Sequence, residues 1–180
     1  MRPPNTYPNL PKRWGLVALF GLLPCLAPGA AFAATHAYSI PMDNTVAKMT
    51  VPDSWNPNSS DTGLDAASPD GKVFFSVYAA TDEDEKGALR GAASIMSDGA
   101  GLTINIASVQ ENSVVIGKAS GREYTYTATQ DGKPQVLVID LIKLKGGGYL
   151  QIMLYGSRDG LGKNAKPVAK IFGTLQLLGR

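Results

Sequence analysis

The sequence predicts an α+β fold: an antiparallel β-sheet flanked by helices on both faces, an α-β-α sandwich with an opening β-hairpin and a C-terminal amphipathic helix. Three observations carry this reading. Beyond residue 33 the chain is mostly short β-branched and aromatic runs separated by turn residues. Two segments instead repeat apolar residues at helical spacing. One strand, "QVLVIDLIKLK", is apolar on both faces, which places it at the centre of a sheet covered twice.

Residues 1–33 read as a cleaved signal peptide rather than as part of the fold. Arg2, Lys12 and Arg13 form a basic start, an apolar run follows from Trp14 to Leu23, and Ala31 and Ala33 sit at the small-residue positions of an A-x-A cleavage site. The apolar run is about half of the ~20 residues a spanning helix needs, so no stable membrane insertion is expected after cleavage. Residues 34–180 then form a single domain, large enough to fold without staples. The only cysteine, Cys25, leaves with the signal, so the mature chain is disulfide-free. Removing Arg2, Lys12 and Arg13 from 17 basic residues leaves 14 against 15 acidic ones. No basic stripe remains to suggest nucleic acid. The expected location is periplasmic or secreted, in a bacterial host.

The elements follow in order. "HAYSIP" and "TVAKMTVP" flank Met42-Asp43-Asn44 as a hairpin, and Pro52 ends its second strand because it lacks an N–H. The polar bend "DSWNPNSSD" follows. "TGLDAAS" and "KVFFSVYAA" flank the turn Ser68-Pro69-Asp70-Gly71. A helix capped by Thr81 or Asp82 comes next, with Leu89, Ala92, Ala93 and Met96 on its buried face and Gly99-Ala100-Gly101 at its end. "LTINIASV" and "SVVIGKAS" read as two short strands, "REYTYTAT" and "QVLVIDLIKLK" as a hairpin across residues 130–134, and "YLQIMLYGS" as a further strand. The closing helix repeats Ala165, Val168, Ile171, Phe172, Leu175 and Leu178. Pro167 fits only its first turn, so the helix should start near Asn164.

The sequence carries few signs of catalytic or metal chemistry. His36 is the only histidine and lies just past the cleavage site, where chains are usually loosely held. Neither G-x-S-x-G nor S-x-x-K occurs. "DEDEKG" starts like a calcium loop, but Ala93 stands where the bidentate glutamate belongs. "GLGKNAK" lacks the first glycine and the Ser/Thr of a phosphate loop and reads as a glycine turn. No catalytic residue, metal ligand or cofactor is expected. Asp140 shares a strand face with Val138 and Ile142; a salt bridge to a lysine or arginine is the usual answer there, and a general acid is the alternative.

The order of these elements, together with Pro52-x-x-Trp55 after the first hairpin, resembles the PsbP-like superfamily, which includes the Ran-binding Mog-type and bacterial DcrB-like proteins. The resemblance implies an α-β-α sandwich and a mostly non-enzymatic accessory, chaperone or protein-binding role, with no catalytic residue to carry over.

The expected function is therefore an exported, non-catalytic protein-binding or accessory module of the cell envelope, with another envelope protein as partner. A small-ligand carrier is the alternative, with Arg122, Tyr124 and Tyr126 lining a cleft; a hydrolase using two carboxylates comes third. The candidate contact residues are Trp55, Asn56, Asn58, Asp61, Arg122, Tyr124, Tyr126 and Arg158. Trp55 reads as a structural anchor that holds the polar residues Asn56 to Asp61 outward. For Arg122, Tyr124 and Tyr126, an interface and a face packed under a helix stand as equal readings.

Overall fold

A computed structural model describes residues 34–41 and 45–178. Residues 1–33, expected to be a signal peptide, and the turn Met42-Asp43-Asn44 lie outside the described residues. Alternation in the opening segment makes two strands, β1 (Thr35–Ile40) and β2 (Ala47–Pro52), which pair antiparallel. Ala47, Met49 and Val51 are buried, while Lys48 and Thr50 point away. His36 is not loosely held: it lies within β1 opposite Val51, with Nε2 3.3 Å from Asp53 Oδ1.

A single 3-10 turn, Asp53–Trp55, follows Pro52. Asn56 closes it at φ 46°, its N–H donating to the Asp53 carbonyl. The next strands are β3 (Asn58–Ser59), β4 (Gly63–Ala67) and β5 (Val73–Ala80). The β4–β5 turn is held by the Ser68 hydroxyl, which donates to Asp70 and accepts from the N–H groups of Lys72 and Val73.

Helix α1 (Glu85–Ala100) starts two or three residues later than expected. The cap is Asp84, which accepts the Gly87 N–H at 2.6 Å, rather than Thr81 or Asp82. Its buried residues are Ala88, Ala92 and Met96, with Leu89 and Ala93 only half-buried. The two short strands expected next are one long strand, β6 (Thr103–Ile116), whose ladder is interrupted between Asn105 and Gln110. "SVVIGKAS" is not a strand throughout. A two-residue turn, Gly117-Lys118, divides it and β7 (Ala119–Gln130) begins after it. Gly117 has φ +61° and a Cβ there would sit 2.5 Å from the Leu175 carbonyl, so both conformation and space demand glycine. β8 (Lys133–Lys143) and β9 (Tyr149–Gly156) follow.

Helix α2 (Arg158–Phe172) also departs from expectation. "GLGKNAK" is its opening turns, not a glycine loop, and Pro167 lies inside it. Ser157 caps it by accepting the Gly160 N–H, and the buried Asn164 amide donates to Asp70 and to the Gly160 carbonyl. These contacts fix an early start. Pro167 is tolerated because it faces solvent, where the carbonyl it leaves unpaired meets water. Ala165 is exposed, and Leu178 lies beyond the helix, after the short strand β10 (Gln176–Leu177).

The seven-stranded antiparallel sheet runs β3-β4-β5-β9-β8-β7-β6. The opening hairpin is not part of it: β1-β2-β10 form a separate three-stranded sheet. Period-two alternation sends neighbouring residues to opposite faces. Leu137, Ile139, Leu141 and Met153 pack with α1 in one core. Ile142, Leu150, Ile152, Phe75 and Val77 pack with α2 and the three-stranded sheet in the other. The fold is α+β, with one face covered by a helix and the other shared by a helix and a small sheet.

Trp55 belongs to the second core, 3% exposed, its ring centroid 5.8 Å from that of Phe75; Phe75 meets Phe172 edge-on at 5.4 Å. Trp55 thus ties the bend to α2 through one intermediate ring. Trp55→Ala should lower unfolding stability by about 3–5 kcal/mol, read as a fall in the urea midpoint at unchanged m-value. A loss under about 1 kcal/mol would show that the bend does not depend on this ring.

Candidate binding surface

The candidate contact residues fall into three separate places. Asn56, Asn58 and Asp61 are exposed around β3, one edge of the large sheet, with Trp55 buried beneath. Ser60 holds their loop: its N–H donates to the Gly63 carbonyl and its hydroxyl accepts the Gly63 N–H.

Arg122, Tyr124 and Tyr126 share one face of β7, the face beneath α1. Both rings are buried, at 7% and 4% exposure, so they offer neither an interface nor a ligand cleft, and packing under a helix is what the structure shows. The Tyr124 hydroxyl donates to Glu85 in the first turn of α1. Burial, then the hydrogen bond and charge of Glu85, push that hydroxyl up to about 12. Arg122 is half-exposed and bridges Glu85 (3.4 Å) and Glu111 on β6. These four residues latch the start of α1 to the sheet.

Arg158, the first residue of α2, is exposed. It lines an open groove of about 560 Å³ with Thr103, Asn105, Thr127, Thr129 and Val136, on the α2 side of β6–β8. A second open groove of about 440 Å³ runs past the stacked pair Phe74 and Tyr155 with Lys72 and Lys133. Among the described residues no group of three His, Cys, Asp or Glu side chains is placed to hold a metal ion, and no helix is long and apolar enough to cross a membrane.

Two features depart from the sequence-based expectations. The first is β6, the opposite edge of the large sheet from β3. Ile106, Val109 and Val115 along it are 62%, 45% and 69% exposed. Sequence patterning shows an apolar residue in a strand but not whether a neighbour covers it. The second is Asp140, read as a salt-bridge partner. It is 4% exposed, and among the described residues no cation pairs with it and Oδ1 has no hydrogen-bond partner. Directly across the ladder stands Glu123, which accepts a 3.5 Å contact from the Asn112 amide. The strand register places a like charge where a cation was expected. The two carboxylates face each other, yet neither lines either groove.

Burial, and then Glu123, push the Asp140 carboxyl up to about 7. Its folded value lies above the unfolded one near 3.8, so between them the folded chain keeps a proton that the unfolded chain has released. This group's contribution to stability therefore falls as pH rises through that window. Asp140→Asn should melt higher than the parent by about 5 °C near pH 8, and the gap should close toward about pH 4. Thermal unfolding across pH checks this; a gap independent of pH would mean that Asp140 does not titrate in that window.

No family model and no curated protein matches the chain. Among solved structures, it is similar to the cyanobacterial PsbP of Synechocystis sp. PCC 6803, with TM-score 0.53 and 10% identity over 86% of this chain and 98% of that one. A Bacteroides thetaiotaomicron protein matches with TM-score 0.50 and 16% identity, over 80% of this chain and 48% of that one. The Saccharomyces cerevisiae Ran-binding protein Mog1p matches with TM-score 0.44 and 12% identity, over 81% and 97% of the two chains.

Proposed function

We propose that the chain, whose fold is like that of the cyanobacterial PsbP, is an exported, non-catalytic protein-binding module that serves as an accessory protein of the bacterial cell envelope. Fold likeness by itself gives no function, so the weight rests on one observation: the β6 edge. A long edge strand with Ile106, Val109 and Val115 exposed is a site for a partner's chain. The signal-peptide pattern of residues 1–33 supports export.

The Glu123–Asp140 pair favours a second reading, a carboxylate hydrolase. A carboxylate buried at 4% exposure is out of reach of a polymeric substrate, which ranks this reading lower.

A photo-crosslinking residue at Val115, compared with one at the exposed Lys166 of α2, tests the proposal in intact envelopes. Discrete adducts with one protein at Val115 and none at Lys166 are expected. The same adducts at both positions, or none at Val115, would overturn it.

A further inference from the structure

The two edges of the large sheet are finished differently. β3 is two residues long and follows Pro57, so little of it can pair. β6 has 14 residues. Its interruption is locked: the Ser108 hydroxyl donates to the Asn105 carbonyl at 2.7 Å and accepts the Thr127 N–H at 2.8 Å. Beyond that interruption Gln110–Ile116 pairs regularly with β7, and among the described residues no strand pairs with its outer side, about 24 Å long. This stretch has no lysine and no proline, and its one charge, Glu111, is held by Arg122. The strand's one edge-protecting device, the bulge, lies before this stretch, and within Gln110–Ile116 neither lysine nor proline stands in the way of pairing.

Charge selects what fits. Asn112, Glu123 and Asp140 lie in one row across β6, β7 and β8, on the α2 side. Among the described residues no ion pair joins Glu123 or Asp140. A strand added outside β6 would lie two strand spacings from β7, about 9.6 Å. A lysine or arginine on it opposite Asn112 reaches Glu123 across that distance. Beside it, Val114 is half-buried on the same side and Val115 exposed on the other, so apolar side chains suit the next positions. A second copy of this chain fits worse. It would rest on a seven-residue ladder, short of the ~800 Å² per partner that a stable dimer buries, and would bring two more carboxylates without a cation.

We propose that β6 accepts, as an eighth strand at Gln110–Ile116, an extended segment of a partner protein that carries a basic residue directed at Glu123. This rests on the protein-binding reading and specifies its mode. The probes are two capped nine-residue peptides of alternating threonine and valine, one with a central lysine and one with a central glutamate. They are titrated into the purified protein at low salt, with backbone amide shifts and hydrogen exchange as readout. The lysine peptide should protect amides within Gln110–Ile116 and bind about fivefold tighter than the glutamate peptide. Glu123→Gln should abolish that difference, and Val115→Lys, at an exposed position, should weaken both peptides. Equal binding of the two peptides, or protection elsewhere, would overturn the inference. So would concentration-dependent protection of this edge without peptide, which would point to a second copy. Crosslinks at Val115 would survive any of these results, so failure of the mode is separable from failure of the protein-binding reading.

Discussion

Everything else in this domain depends on the ladder between β8 and β9. Eight residue pairs join them, from Val136 opposite Gly156 to Lys143 opposite Tyr149. Consecutive residues of these strands feed different cores: Ile152 and Ile142 go toward α2, Met153 and Leu141 toward α1. Burial on both faces is what allows two helices to be held by the same two strands. The α1 side is thin, since Ala88 and Ala92 bring the helix close. At that distance the buried Gln151 amide reaches the Ala88 carbonyl, at 2.9 Å, and sets the helix against β9. A polar group so buried would be costly unpaired, so the bond fixes position as well as satisfying a donor.

The features legible in the sequence are those that a single strand or turn decides for itself. The two-faced apolar pattern of β8, the turn at Ser68–Gly71 and the Pro52-x-x-Trp55 exit all come from local chemistry. What could not be read depends on partners distant in sequence. The start of α2 is fixed by Asn164 reaching Asp70, 94 positions away. The turn at Gly117 is forced by the Leu175 carbonyl, in a segment the chain has yet to reach. The surroundings of Asp140 follow from a register that puts Glu123 opposite, and a one-residue slip would have offered Arg122 instead. The candidate surface suffers most from this blindness. Tyr124 and Val115 are both plausible contacts by type, yet one is roofed by α1 and the other is open.

Three unusual features share the β6–β7–β8 wing. An uncovered edge, a locked bulge and two facing carboxylates lie within three adjacent strands. The opposite wing is closed by a short strand and by Trp55 beneath it. The two edges of the large sheet are therefore finished differently: Trp55 is buried beneath one, while Ile106, Val109 and Val115 stand exposed along the other.

The small sheet joins the beginning of the domain to its end. β10 pairs with β2, and the Thr174 hydroxyl accepts the Thr50 N–H across 124 positions. β2 thus has only one of its two neighbours until the final residues are available. Such distant closure is a slow step in folding. A chain emerging in order from a ribosome cannot complete this sheet until Gln176 and Leu177 have been made, so all seven strands of the large sheet are available before β2 gains its second neighbour.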